Sequence, residues 1–523
     1  MNIKSLLLPV LFVSNVFAYN ILVVFPFPGK SHTILGEGYV RHLLKAGHEV
    51  TYVTPALLKP HPKLKQIDVS SNIDGFEQDT KILSFDTFLK EKVAMDSSMV
   101  YDLMLKMYNR SITHENVQYF LKESKDKYDL AIVEWLYSEL YTGFAAIFNI
   151  PHVYASSLEP HPDILNLIDE PQNPAYFPEH TSPVSLPLTF VERVSELWNL
   201  IYLYFVRWHL KDTEEKVFQD AFGPAAIKRG INLPTLNKIK YETSLVFGNS
   251  HVSTGEAYKL PQNYIPIAGY HIDDQKKPLP EDLQKVMDNS PHGVIYFSMG
   301  TMMKSKTMPQ EFKRGLLQVF SELKQTVIWK FEEKMDNVPK NVHIVQWAPQ
   351  QSILAHPNCI LFITHGGLLS TTETLHYGVP IIGIPLFADQ HINVVRAVQK
   401  GFALQVDLDY DTPAKLQIAI QEMLSNSKYR EKVKQLSFIY HHRPTSPGQE
   451  ILHWVEHIIQ TKGASHLRSP AFSVPLYQKL YLDLLGLIAI IIVIIVHILK
   501  KIKSILLTIS KKSENFKSKK KHK

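Results

Sequence analysis

Between Trp347 and Gln390 the chain reads WAPQQSILAHPNCILFITHGGLLSTTETLHYGVPIIGIPLFADQ, and this stretch limits the fold more than any other. Two short apolar runs, Ile360–Ile363 and Ile381–Ile384, are each closed by polar or turn-forming residues. That is the pattern of strands buried on both faces of a parallel sheet. The residues between them predict a helix that ends near Tyr377, with Gly378 suited to the left-handed position beyond its last turn. Strand, helix and strand make one βαβ unit. Thr364, His365, Gly366 and Gly367 stand at the carboxyl end of its first strand. Glycines there let backbone N–H groups approach an anion, and the helix dipole adds to the attraction. Ser370 and Glu373 lie three apart and share a helix face directed back at the same crevice. Phosphate on the amides with ribose hydroxyls on Glu373 suits a nucleotide, bound where open α/β sheets bind such ligands.

A chain of 523 residues has room for two domains of about 100–200 residues each, plus extensions. Its charge does not point to nucleic acid. Ten lysines and one glutamate after Leu499 contribute +9 to a formal net charge of +6, so the body is at −3. Cys359 is the only cysteine, so no intrachain disulfide can form. Met1–Ala18 reads as a secretory leader, with Lys4, an apolar run from Leu6 to Val13, and Val16-Phe17-Ala18 before the cleavage point. Tyr481–Leu499 is almost wholly apolar and, at roughly 1.5 Å per residue, covers roughly 28 Å, enough to cross a bilayer. The lysines that follow place that end in the cytosol and the body in the lumen, as a single-pass type I protein. Asn109-Arg110-Ser111 is then an N-glycosylation acceptor.

The amino-terminal half opens with a strand at Ile21–Phe25, a turn PFPGKSHT, a helix from about Ile34 to Lys45 and a strand near Val50–Val53. No G-x-G-x-x-G follows the first strand, so the turn is not a dinucleotide fingerprint. Further strands are predicted at Leu130–Val133, His152–Ala155 and Leu245–Asn249, with irregular, ligand-facing structure between about 60 and 125. Leu186–Leu210 carries apolar and aromatic residues at helical spacing. Ordinary core packing is the first reading; a pocket wall or a membrane-surface helix is the alternative. A polar stretch with prolines after Gly269 reads as a linker. A second α/β domain starts at Gly293–Phe297, turns through Ser298–Thr301 and continues with a strand at Thr326–Trp329. Asp407-Leu408-Asp409 fits an Asp-x-Asp metal pattern formally but reads as a turn after a strand, and no His/Cys cluster has zinc spacing.

Trp347, Pro349-Gln350, His356-Pro357, Thr364–Gly367, Ser370, Glu373, Gly378, Pro380, Pro385 and Asp389-Gln390 together closely resemble the signature of the UDP-glycosyltransferases, most of all the insect membrane-bound members. The resemblance implies two facing Rossmann-like α/β domains, the GT-B architecture, with a segment between Tyr440 and Lys462 returning to the first domain. It divides the chain into a leader (1–18), an acceptor-binding domain (19–270), a linker (271–289), a UDP-sugar-binding domain with the return helix (290–470), a transmembrane helix (481–499) and a cytosolic tail (500–523). For the donor it implies uracil on Trp347, its edge read by Ala348 to Gln350, and diphosphate on His365, Gly367, Ser370 and Thr301. Ribose falls to Glu373 and the transferred sugar to Asp389 and Gln390. His32 becomes the general base, oriented by Glu134, where many animal relatives carry Asp. Leu369 stands where many relatives carry Asn, which removes one polar contact near the sugar.

The implied activity is metal-independent, inverting transfer of a hexose, glucose first, from a UDP-sugar co-substrate to a hydroxyl of a small lipophilic acceptor, with no cofactor. UDP-glucuronate as donor, or a catalytically silent UDP-sugar-binding subunit of a homo- or hetero-oligomer, stays open. Lys520 and Lys521 resemble a dilysine signal for retrieval to the endoplasmic reticulum.

Overall fold

A computed structural model describes residues 18–81, 84–90, 97–179, 182, 184, 186–273 and 277–521. Apart from Ala18, the expected leader lies outside the described residues, as do 274–276 of the expected linker. The chain forms two compact units, a body through Arg468 and a second unit from Ser469 onward.

The body contains two all-parallel sheets. The first is built from β1 (Asn20–Val24), β2 (Glu49–Thr54), β3 (Leu64–Asp68), β4 (Leu130–Trp135), β5 (His152–Ser156), β6 (Val246–Gly248) and β7 (Tyr264–Pro266), in the order β3-β2-β1-β4-β5-β6-β7. Ile21 to Val24 and Leu130 to Val133 have no solvent exposure, which explains why these strands read as continuous apolar runs. Helix α1 (Lys30–Lys45) links β1 to β2. It begins four residues earlier than expected, directly after Pro28-Gly29, so His32 belongs to its first turn. Gly36 lets α1 close on the sheet: a Cβ there would come within 2.3 Å of the Tyr52 hydroxyl and 2.8 Å of Phe25.

The described residues from 60 to 125 form β3 followed mainly by helices, including α2 (Ser97–Thr113), with short irregular links between them. Most of the Leu186–Leu210 stretch, from Phe190 on, belongs to the 40-residue α3 (Phe190–Arg229), opened by a Thr189/Glu192 capping box. The core-packing expectation holds for Leu203 and Val206, which are buried, but not for most of the aromatic residues of the stretch. Trp198 is 67% exposed and Trp208 70%, while Glu196 is buried.

The second sheet comprises β8 (Val294–Ser298), β9 (Thr326–Lys330), β10 (Val342–Val345), β11 (Cys359–Thr364), β12 (Ile381–Gly383) and β13 (Ala403–Gln405), ordered β10-β9-β8-β11-β12-β13. Its loops carry α4 (Gln350–Leu354), α5 (Leu368–Tyr377) and α6 (Gln390–Gln399). Gly378 ends α5 in the left-handed conformation, at φ 70° and ψ 38°. The Asp407/Asp409 pair serves a turn: Thr412 Oγ1 donates to the Asp407 carbonyl at 2.9 Å, and Asp409 accepts from the Asp411 amide at 2.9 Å.

Helix α7 (Pro447–Gln460) returns to the first sheet, burying Ile451, Val455 and Ile458 in the cluster that holds Ile21, Val23, Leu35 and Val40. Gly448 permits that contact, since a Cβ there would lie 2.2 Å from the His42 ring. In both sheets the strand order reverses, between β1 and β4 and between β8 and β11, and crevices open at such points.

The second unit is dominated by α8 (Leu482–Lys521), of which 482–515 is long and apolar enough to cross a membrane, with none of its apolar window buried. The helix runs on past Leu499, the end of the expected span. A further apolar run, Ile502 to Ile509, carries it on into the lysine-rich end.

Candidate active site

The reversal point of the first sheet places α1 beside the end of β4. Phe27 packs on the His32 ring at 4.4 Å between centroids, and Gly29 must be small, because a Cβ would meet Phe27 at 2.8 Å and His32 at 3.0 Å. His32 Nδ1 pairs with Glu134 Oε1, and the Ser157 hydroxyl donates to the same oxygen at 2.8 Å. Glu134 is only 1% exposed, and its Oε2 has no hydrogen-bond partner. Tyr108 fixes the end of this strand, donating to the Glu134 carbonyl at 3.3 Å and accepting from the Leu136 amide at 2.9 Å. The imidazole therefore has one nitrogen held from behind by a buried carboxylate, while the ring borders open space. Sequence reading missed Ser157, a small polar residue one position past β5.

The facing wall is the reversal point of the second sheet. His365 is held between Gly300 and Gly367: a Cβ on either would lie 2.6 Å from its ring. Gly300 and Gly366 adopt φ of 81° and 80°, which bends the chain out of β8 and β11. Burial pushes the His365 pKa down to about 4, with the Lys330 charge adding to the effect, so the ring is neutral at physiological pH. Lys330, at the end of β9, was not singled out from sequence. Its ammonium donates to the Gly300 carbonyl at 2.7 Å and to Glu332 at 3.1 Å, beside Thr301. A lysine closing a buried strand, TVIWK, was the available signal.

Ser370 and Glu373 do share a face of α5. The Gln350 amide group donates to Ser370 Oγ at 3.0 Å and to Glu373 Oε2 at 2.6 Å. Gln351 donates to the other Glu373 oxygen at 3.1 Å, and His271 Nε2 lies 3.5 Å from it. His271 is buried with no hydrogen-bond partner on either ring nitrogen, and it too was missed, since nothing in GYHIDD marks it. Trp347 is 58% exposed with Lys30 Nζ 5.7 Å from its ring centre; Ala348 is buried beside it.

At the start of α6, Asn393 donates to Asp389 Oδ2 at 2.8 Å and to the Gly366 carbonyl at 3.1 Å. Gln390 uses its side-chain oxygen to accept from the amides of Leu386 and Phe387 at 3.0 and 3.3 Å. The Gly366 amide is taken by Thr364 Oγ1 at 3.3 Å and Gly366 packs on Val394, whereas Gly367 borders the cleft.

One cleft of about 770 Å³ is lined by His32, Thr301, Trp347, Ala348, Gln350, His365, Gly367, Ser370, Glu373, Asp389 and Gln390. Its volume suits a ligand of several hundred daltons. Near His32 the lining is apolar, from Phe27, Phe76, Leu103, Met104, Leu136 and Leu158. Asn109 stands apart, exposed on α2, while the Ser111 hydroxyl is buried and donates to the Met107 carbonyl at 3.0 Å. Lys520 and Lys521 lie at the end of α8.

The sequence was compared with known proteins. The family model described as UDP-glucoronosyl and UDP-glucosyl transferase matches residues 20–519. UDP-glycosyltransferase UGT5 of Dactylopius coccus is 34% identical, over 91% of this chain and 90% of its own. UDP-glucosyltransferase 2 of the same insect is 33% identical over 89% and 88%, and UDP-glucuronosyltransferase 2B15 of Rattus norvegicus 29% over 88% of each. Among solved structures, the glycotransferase of kitacinnamycin matches with TM-score 0.55 at 16% identity, over 84% of this chain and 98% of its own. UGT89C1 of Arabidopsis thaliana complexed with UDP-L-rhamnose gives 0.55 at 15%, over 85% and 100%. These likenesses carry the GT-B fold, and the family match spans both sheets and the carboxyl-terminal helix. The chain belongs to the UDP-glucuronosyl and UDP-glucosyl transferase family and is a UDP-glycosyltransferase.

Proposed function

We propose that this enzyme moves glucose from UDP-glucose to a hydroxyl of a small lipophilic acceptor with inversion, giving a β-glycoside. The observation that carries the reading is the His32–Glu134–Ser157 array opposite the Gly300, His365 and Gly367 turns in one cleft. Glu134 holds Nδ1, so Nε2 takes the acceptor proton as the acceptor oxygen bonds the anomeric carbon and the bond to UDP breaks. Histidine suits a base working near neutral pH. Charge developing on UDP is met by the Gly367 amide, His365, Ser370, Thr301 and the amino-terminal end of α5, groups already in place before reaction. Uracil stacks on Trp347 beside Ala348 and Gln350, ribose bonds Glu373, and the sugar hydroxyls meet Asp389 and Gln390. Phe76, Leu103 and Met104 favour an apolar acceptor, such as a phenol or steroid, as in detoxification or metabolite conjugation.

UDP-glucuronate is the second donor to test, because the rat relatives are named UDP-glucuronosyltransferases. We further propose a type I endoplasmic-reticulum membrane protein, with its leader removed, the body in the lumen, Asn109 glycosylated before α2 forms, and Lys520 and Lys521 as the retrieval signal. Purified full-length protein given labelled UDP-glucose or UDP-glucuronate with a panel of phenols tests the chemistry. A β-linked glucoside is expected; an α-linked product, or no transfer from either donor, would overturn it.

A further inference from the structure

His271 is 2% exposed, and neither of its ring nitrogens has a hydrogen-bond partner. An imidazole left unpaired in this way costs free energy that an apolar side chain of similar size would not. Its backbone is nonetheless fixed. The Arg41 guanidinium donates to the Tyr270 and Ile272 carbonyls at 2.9 and 3.2 Å, and His42 Nε2 lies 2.9 Å from the same Tyr270 oxygen. Gly38 lets this segment close on α1, since a Cβ there would stand 3.2 Å from His271 Cα. On the other side the Asp273 amide donates to Gln351 Oε1 at 3.3 Å. The ring thus belongs to the acceptor half by its backbone, yet it lines the cleft with Nε2 3.5 Å from Glu373 Oε1. A lone pair on Nε2 would face a carboxylate oxygen, so the proton resides on Nε2 and the lone pair on Nδ1.

We propose, on the reading that Glu373 takes the ribose, that His271 is a second ribose-binding residue. A hydroxyl whose proton lies on Glu373 still offers lone pairs, and the Nε2–H of His271 is a donor placed to meet one. An oxygen can stand about 2.8 Å from each of two atoms that are 3.5 Å apart, off the line between them. Gln350 and Gln351 reach Glu373 from α4, in the same half of the cleft, whereas His271 reaches it from the half that carries His32. The ribose is then held from both walls. Its hydroxyl donates to Glu373 of α5 and accepts from His271, which α1 keeps in place through Arg41 and His42. His32 stands on that same helix, so the grip on ribose also sets the donor against the base.

Calorimetry on full-length protein with UDP, 2′-deoxy-UDP and 3′-deoxy-UDP separates this contact from a structural role. His271→Met removes the donor with a side chain of similar reach and should weaken UDP by about 2- to 10-fold, the range of one neutral hydrogen bond. It should leave at least one analogue bound as tightly as by wild type, because that analogue lacks the hydroxyl His271 holds. That retained binding also shows an intact fold. His271→Gln, whose amide nitrogen reaches the place of Nε2, should recover part of the loss. In turnover, His271→Met should raise the donor KM by the same factor with kcat near wild type, since His32 and the phosphate contacts are untouched. Equal weakening of UDP and both analogues, or unchanged UDP affinity, would overturn the proposal. Glu373→Ala is read separately. If it leaves the preference for UDP over both analogues intact, the ribose site itself is misplaced. A lost preference there, beside an unaffected His271→Met, removes His271 alone.

Discussion

Replacing Glu134 tests the proposed base more sharply than removing the base itself. The carboxylate is buried, and both its bonds fall on one oxygen, from His32 and from Ser157 at 2.8 Å. Glu134→Gln keeps the shape and can still hold the imidazole, but it cannot balance the imidazolium that forms when the acceptor proton is taken. A hydrogen bond to a charged group contributes about 1.5–3 kcal/mol, so turnover should fall by roughly 10- to 150-fold. His32→Ala removes the base outright and should cost about 10²–10⁴-fold. The double variant should lose little beyond His32→Ala alone, because the carboxylate then has nothing to orient. Glu134→Asp keeps the charge but is one methylene shorter, so it should retain more activity than Glu134→Gln. The assay is turnover at saturating donor and acceptor, paired with calorimetric UDP binding, which should change in none of these variants. Near-normal turnover in His32→Ala, or a loss in the double variant equal to the product of the single losses, would refute this reasoning.

Glu373→Ala should weaken UDP by about 1–3 kcal/mol in calorimetry, and unchanged affinity in a folded variant would remove Glu373 from the ribose site. Arg396 on α6 pairs with Glu159, both buried, and with the Tyr258 hydroxyl at 3.3 Å. Arg396→Met strands that carboxylate and should cost about 3–5 kcal/mol in denaturant unfolding, most of it recovered by adding Glu159→Met. His152 is fully buried, and burial pushes its pKa from 6.5 to about 4. The unfolded chain binds the proton more readily, so stability is complete above pH 6.5 and declines as pH falls toward 4. The loss is on the order of 3 kcal/mol, and His152→Phe should flatten that part of the unfolding profile.

The donor half was legible because its chemistry is local. One strand, one Gly-Gly turn and one helix carry His365, Gly367, Ser370 and Glu373 within ten residues, and Gly378 marks the end. The base could be placed only through the family resemblance, since His32 and Glu134 are 102 residues apart and meet through the parallel pairing of β1 with β4. Strands β7, β10 and β13, of three or four residues, are too short for any periodicity to register. Ser157, His271 and Lys330 escaped for a related reason: Lys330 ends a strand, Ser157 begins a loop and His271 lies in the turn after β7, and only the sheet order makes them neighbours of the site. On α3 the period was readable but its direction was not. A helix with an apolar seam and scattered charges looks the same in sequence whichever face meets the body, and the partners that draw Glu196 and Arg207 inward come from distant segments.

The contacts between the two walls bear on how the cleft works. His271, from the segment after β7, stands against Glu373 of α5, and Lys30 of α1 sits over the ring of Trp347. Arg396, six residues after Gln390, is paired with Glu159 of the first half. Each of these contacts joins a donor-side element to the domain that carries His32. A base stacked on Trp347 would occupy the ring face Lys30 now covers, and ribose hydroxyls on Glu373 would displace Gln350, Gln351 or His271. With the donor bound as proposed, Lys30 and His271 would give up their contacts with the facing wall, while the buried Arg396–Glu159 pair, outside the lining of the cleft, would still join α6 to the acceptor side. Asp389 is tied to that helix through Asn393. Asp389 and Arg396 thus share α6, so in the proposed complex this helix would couple the position of the sugar to the domain that carries His32.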